Sequence, residues 1–205
     1  MSSLPAAEPV GLCLALDITP IDTPLPLLYE DEPLLPFARA IIEATAGIVT
    51  AYKVDPRYYM AEGAAGVVAL ERIMRLIPTN ATCIWDARAQ VTSAQDARLW
   101  IQILRQFGAH AITLGHVPNT ELRALFLETR LTTVFTPGGT DSPALSIIDA
   151  DGAVGRRFTA VAHEAPAGHR FVSVGRQILY ASKRTDFAEA AGAAARQWRE
   201  KIQAV

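Results

Sequence analysis

The sequence predicts an α/β fold of repeated parallel βα units, on three observations. Short runs of strand formers alternate with longer segments of helical apolar spacing from residue 10 to the C-terminal region. Asp17, Lys53 and Asp86 each close one of the early strands, 36 and 33 residues apart, about the length of one βα unit. The 205 residues, half apolar and a fifth charged, can bury one substantial core. No shift in composition divides them, so a single domain over 1–205 is expected.

Residues 10–17 (Val-Gly-Leu-Cys-Leu-Ala-Leu-Asp) are an apolar run closed by Asp17. The next stretch carries Pro20, Pro24, Pro26, Pro33 and Pro36, too broken to be helical before about residue 34. Helical spacing covers 34–46, a second strand covers 48–52 and ends at Lys53, and the longest helix is expected over 58–77 despite Gly63 and Gly66. Pro78-Thr79-Asn80 breaks it. Residues 81–86 form the third strand, and Thr92 or Ser93 caps a helix over 93–107. Residues 109–114 are a fourth strand, 120–129 a shorter helix and 131–136 a fifth strand. The alternation then changes. Residues 145–149, the turn Ala150-Asp151-Gly152 and residues 157–162 read as a β-hairpin rather than another βα pair. A strand over 171–174 runs into Gly175-Arg176, and Thr185 or Asp186 caps an alanine-rich helix over 187–202.

Side-chain alternation along a strand sharpens the charged positions. If Asp17 faces the inside of the sheet, so do Cys13 and Ala15, while Leu12, Leu14 and Leu16 face the helices. With Lys53 inward, Val49 and Ala51 follow; with Asp86 inward, Thr82 and Ile84 follow and Trp85 packs outward. Arg88 lies two residues beyond Asp86, on the same side of an extended chain. Taken alone, Asp86 and Arg88 read as a surface ion pair. Three successive strands delivering an acid, a base and an acid to one end of a parallel sheet read instead as a polar site, because α/β sheets build their sites there. Gly175-Arg176, between the last strand and a helix, offers backbone N–H groups and a planar guanidinium suited to a phosphate.

Several classes of function are disfavoured. A net charge of −2 with scattered basic residues gives no field for nucleic acid or an anionic membrane. No apolar run approaches the roughly 18 residues that span a bilayer. The start (Met1-Ser2-Ser3-Leu4-Pro5) has neither a basic region nor an apolar signal core, so a cytoplasmic protein is expected. Cys13 and Cys83 sit in apolar strands and read as buried thiols, and no Cys/His cluster has metal-ligand spacing. His110, His116, His163 and His169 are too dispersed to be joined by sequence.

The chain resembles the orotidine 5′-monophosphate decarboxylase family, most closely its longer bacterial branch. Leu12-Cys13-Leu14-Ala15-Leu16-Asp17 is similar to that family's first strand. Ala51-Tyr52-Lys53, with Tyr58-Tyr59-Met60-Ala61-Glu62-Gly63 and Leu70-Glu71 after it, is similar to its second strand and helix. Gly175-Arg176-Gln177-Ile178-Leu179-Tyr180-Ala181 resembles its last phosphate-binding strand. The resemblance implies a (β/α)8 TIM-type barrel, usually homodimeric with sites at the interface, needing no metal or organic cofactor and taking a phosphorylated pyrimidine nucleotide. It further implies that Asp17 contacts the nucleoside and that Lys53 contacts the ribose and a neighbouring carboxylate. Asp86 would stress the substrate carboxylate, and Gly175 and Arg176 would hold the phosphate.

The departures are as informative. The family's Asp-x-Lys-x-x-Asp reads Asp86-Ala87-Arg88-Ala89-Gln90-Val91 here. The protonating lysine is Arg88, whose guanidinium is a poor proton donor but can hold a carboxylate or phosphate with two bonds. The second aspartate, which reaches the partner subunit's site in the family, is Val91. Pro137-Gly138-Gly139 is at best a partial echo of the family's phosphate-gripping loop, and the barrel is expected to be distorted or incomplete around residues 137–170. Two functions stay open: a diverged decarboxylase-like lyase with Lys53, Asp86 and Arg88 as catalytic residues, or a non-catalytic or regulatory nucleotide-binding protein.

Overall fold

The computed structural model describes residues 10–127, 133–137, 145–149, 157–160 and 169–204. Among them, eight strands close into a barrel: β1 (Val10–Ala15), β2 (Ala51–Val54), β3 (Thr82–Ala89), β4 (Ala111–Leu114), β5 (Thr133–Pro137), β6 (Leu145–Asp149), β7 (Arg157–Ala160) and β8 (His169–Val174). Their order around the barrel is β1-β2-β3-β4-β5-β7-β6-β8, with β8 returning to β1. All neighbours are parallel except β7, which is antiparallel to both β5 and β6.

The expected distortion is therefore a reversed strand. β6 pairs in parallel with β8, Ile148 opposite Val172, and β7 doubles back between β6 and β5. A hairpin fills two barrel positions that a βα unit would otherwise fill. The expected turn Ala150-Asp151-Gly152, the end of the second hairpin strand at 161–162, Gly138-Gly139, His163, residues 128–129, residues 131–132 and the first five residues lie outside the described residues.

Within the strands the alternation of side chains follows the expected parity; Val49, expected inward in a strand over 48–52, instead precedes β2 and joins the main core. Leu12, Leu14, Leu16, Tyr52, Val54, Cys83, Trp85, Ile112 and Leu114 join the main core between strands and helices. Cys13, Ala15, Ala51, Ile84, Ala111 and Phe171 are buried apart from that core, on the alternate face that points into the barrel. The Trp85 ring packs outward against Phe107, with centroids 4.8 Å apart. The wall is thus apolar behind, and small or polar within.

The helices differ from expectation chiefly at the segment 58–77, which breaks into α2 (Pro56–Met60) and α3 (Gly63–Met74). Two features cause the break. Gly63 has a left-handed φ of 67°, and a side chain at Gly66 would lie 1.9 Å from the Tyr59 carbonyl. α1 (Leu34–Thr45) and α4 (Ala94–Phe107) form where expected, α4 with Ser93 and Asp96 in a reciprocal cap and Gly108 in the left-handed conformation after it. α5 (Thr120–Leu127), the short α6 (Arg176–Leu179) and α7 (Phe187–Gln203) complete the described elements; Asp186 stands at the N-cap position of α7, but its carboxylate accepts from the Ser182 hydroxyl and caps no helix N–H. The proline-rich stretch holds two 3₁₀ turns, Pro20–Asp22 and Leu25–Leu27, and no α-helix.

Candidate functional site

The strand registers bring the first three charged residues together. Ala15 lies opposite Lys53, and Lys53 opposite Ile84. Asp17 and Asp86 each stand two residues beyond these partners, on the same face of their strands. The ladder continues past β1 through the Leu16 N–H, which donates to the Lys53 carbonyl at 2.8 Å. Lys53 and Asp86 are buried, with Nζ and Oδ2 3.1 Å apart. Their approach follows from the parallel pairing of β1, β2 and β3 in a closed barrel whose neighbouring strands are staggered by the shear.

Arg88 completes a tight ion cluster. Its Nη2 donates to Asp86 Oδ2 at 2.8 Å and its Nε to Asp86 Oδ1 at 3.2 Å. The Thr113 hydroxyl, from β4, donates to Asp86 Oδ1 at 2.5 Å and accepts from the Arg88 N–H at 3.2 Å. Burial works against an ionised Asp86, but the Arg88 hydrogen bonds, the Lys53 charge and Thr113 outweigh it and hold the carboxyl down at about 2. The pairing of β3 with β4 shifts between Trp85 and Ala89, and Arg88 takes a positive φ of 46° inside that irregularity. For a side-chain-bearing residue this conformation costs about 1–2 kcal/mol. The bulge thereby turns Arg88 back over Asp86.

Asp17 has the opposite character. Burial raises its carboxyl to about 6, and the Asp86 and Asp55 charges add to this while Lys53 and Arg88 oppose it. Its Oδ1 is buried without a hydrogen-bond partner. Asp55, two residues beyond Lys53 and 1% exposed, caps α2 by accepting from the Arg57 N–H at 2.9 Å and forms an ion pair with the Arg57 guanidinium. Tyr59, from α2, donates its hydroxyl to the Leu16 carbonyl at 2.6 Å, fixing the backbone next to Asp17.

Gly175 and Arg176 sit apart from this cluster, at the end of β8. Gly175 has φ −120° and its carbonyl accepts from the N–H groups of Ile178 and Leu179. The Arg176 guanidinium lies 4.9 Å from the Tyr180 ring centroid and bonds Asp22. Tyr58, half-exposed on α2, feels charges from both groups. Burial, Asp17 and Asp55 push its hydroxyl up, while Arg57 and Arg176 pull it down.

Five of the six expected residues are thus placed at the same end of the barrel as polar side chains, and Gly175 contributes backbone there. Sequence reading missed Thr113, Asp55 and Asp22. Thr113 and Asp55 carried a usable signal, since strand parity puts each on the inner face. Asp22 carried none. Val91 also departs from its position in the family motif in a specific way. It is fully buried in the chain's own core, and its carbonyl lies 3.0 Å from His116 Nε2. Among the described residues, no group of three or more His, Cys, Asp or Glu could hold a metal ion, and no helix is long and apolar enough to cross a membrane.

No family model matches the chain. It is 34% identical over 137 residues to the orotidine 5′-phosphate decarboxylase of Thermomicrobium roseum, a match covering 67% of this chain and about half (49%) of that relative. The corresponding protein of Roseiflexus castenholzii is 27% identical over an alignment of 251 residues, spanning 94% of this chain and 92% of that relative. In structure, the chain resembles the OMP decarboxylase of Leishmania donovani, with a TM-score of 0.66, 17% identity and coverage of 96% of this chain and 93% of that one. The solved structure therefore supports the fold, a TIM-type barrel, and the sequence relatives support the kinship. The chain belongs to the orotidine 5′-phosphate decarboxylase family.

Proposed function

We propose that the protein is a diverged decarboxylase-type lyase of a phosphorylated pyrimidine nucleotide. The observation that carries this reading is the buried Lys53–Asp86 pair, held by the partly exposed Arg88, at the C-terminal mouth of a barrel whose last strand runs into Gly175-Arg176. A Lys53–Asp86 pair withdrawn from water is expensive to build for stability alone, since buried ion pairs rarely repay their desolvation. Perturbed carboxyls of opposite direction, Asp86 at about 2 and Asp17 at about 6, are the pattern of a site that handles protons.

In this reading Arg176 binds the phosphate and Asp17 contacts the nucleoside. Asp86, ionised at all ordinary pH values, faces the substrate carboxylate. Loss of CO₂ breaks the bond between the ring and the carboxylate and leaves the electron pair on the ring carbon. Lys53 then gives that carbon a proton, becoming neutral, and recovers one from solvent. Arg88 cannot replace it as donor, because guanidinium does not deprotonate in proteins. Its part is to hold Asp86, and through it the charge balance of the pocket. The family resemblance adds a homodimer acting in the cytoplasm.

A second reading is favoured by one observation. Asp86 is bonded on both oxygens, by Thr113, Lys53 and Arg88. A carboxylate so neutralised exerts little repulsion on a substrate carboxylate, which fits binding without turnover. The test follows orotidylate by ultraviolet absorbance. The lyase reading expects measurable decarboxylation by the wild type, loss of at least about 10²-fold on Lys53→Ala, as for removal of an acid–base group, and a faster Arg88→Lys variant. Tight UMP binding with orotidylate untouched by both wild type and Arg88→Lys would instead establish the binding reading.

A further inference from the structure

We propose that Lys183 is a second anion-holding residue beside Arg176, and that Asp22 occupies the anion's place until a phosphate displaces it. The inference rests on the phosphate-binding reading of Arg176 given above. Asp22 closes the 3₁₀ turn Pro20–Asp22 in the loop after β1, and it is separated from both cations by more than 150 residues of sequence. Its Oδ2 accepts from Arg176 Nη1 at 3.0 Å and from the Thr19 hydroxyl at 3.1 Å, while its Oδ1 accepts from Lys183 Nζ at 3.1 Å. One carboxylate thus presents two oxygens to a guanidinium and an ammonium, as two oxygens of a phosphate would.

The loop is built to let this carboxylate move. It is pinned on either side of Asp22: the Thr19 N–H donates to the Tyr180 hydroxyl at 3.3 Å, and the Leu25 N–H to the Lys183 carbonyl at 2.9 Å. Between those pins only the short turn has to swing. Ile21, beside Asp22, is 88% exposed, so no core contact holds it down. Arg176 keeps its own support when Asp22 leaves. Arg176 rests on the Tyr180 ring, and Tyr180 packs against Phe37 with ring centroids 5.8 Å apart. The hydrogen bonds from Arg176 and Lys183 keep the Asp22 carboxyl down at about 2, so the internal competitor is charged near neutral pH.

The competition has a sign that a merely structural salt bridge would not share. If Asp22 competes, removing its charge tightens anion binding; if Asp22 only positions the two cations, removing it weakens binding. Calorimetric titration with UMP, inorganic phosphate and uridine is expected to give roughly three- to tenfold tighter binding of UMP and phosphate to Asp22→Asn, the range expected for releasing two exposed pairs. Lys183→Ala should weaken both by a similar factor, and neither variant should change uridine binding. A thermal melt of each variant checks that the fold is kept. Unchanged or weaker UMP binding by Asp22→Asn, with Arg176→Ala still abolishing it, overturns this inference and leaves the phosphate reading intact. No effect of Arg176→Ala on UMP binding overturns both.

Discussion

Asp86 and Asp17 carry opposite pH signatures, and both can be read from stability. The Asp86 carboxyl is lowered on folding, so its stabilisation is present above its ordinary value of 3.8 and is lost as pH falls toward about 2. Asp17 is raised, so its contribution is complete below 3.8 and is lost as pH rises through about 6. Asp17→Asn is therefore expected to gain stability over the wild type above pH 6, by at most about 3 kcal/mol, with the gap closing near pH 4. Urea denaturation across that range checks it; parallel curves for the two proteins would refute the burial of an ionisable Asp17. Asp86→Asn should cost about 3–5 kcal/mol at pH 7, because it strands Lys53 and Arg88 with their charges unmatched. Val91→Asp, which would restore the family's second aspartate, should instead cost several kcal/mol by putting a carboxylate into a sealed core. Asp17, Lys53 and Asp86 were legible in the sequence because residue spacing and strand parity are local rules. The Asp22 bonds to Arg176 and Lys183 were not, because they join loops with no periodic pattern.

At the scale of elements, the strands were easier to read than the break in the second helix. Residues 58–77 have apolar spacing throughout, and the sequence pattern has no term for the Tyr59 carbonyl that a side chain at Gly66 would strike. That contact matters to the site, since Tyr59 braces the Leu16 carbonyl beside Asp17. Gly66→Ala is expected to lose about 1–3 kcal/mol, as overpacked positions do, and to weaken UMP binding through the displaced brace. Full UMP affinity in a destabilised Gly66→Ala would show that α2 does not support the site. The hairpin was legible from its turn residues and strand lengths, whereas the insertion of β7 between β5 and β6 was not. Strand order is a long-range property, decided by which edge the returning strand finds unpaired.

At the scale of the whole molecule, the described strands close into a barrel with one strand reversed, and Arg88 and Val91 stand where the resemblance implies a lysine and an aspartate. β7 runs against its neighbours, so its C-terminal end points away from the mouth where Asp17, Lys53 and Asp86 converge. The site is accordingly weighted toward the first four strands and β8. A homodimer, which the resemblance implies, predicts twice the 22.1 kDa chain mass in sedimentation equilibrium; a single-chain mass across the micromolar range would remove it. With Val91 sealed in its own core, such a dimer would not share a charged residue from that position. On the proposed function, the Lys53–Asp86–Arg88 cluster and Arg176 form the two ends of one nucleotide site. A crystal structure with UMP bound tests it most directly. The phosphate is expected on Arg176 and Lys183, and the base against the Lys53–Asp86–Arg88 cluster. UMP seated elsewhere, with the Asp22 bonds to Arg176 and Lys183 intact, would contradict it.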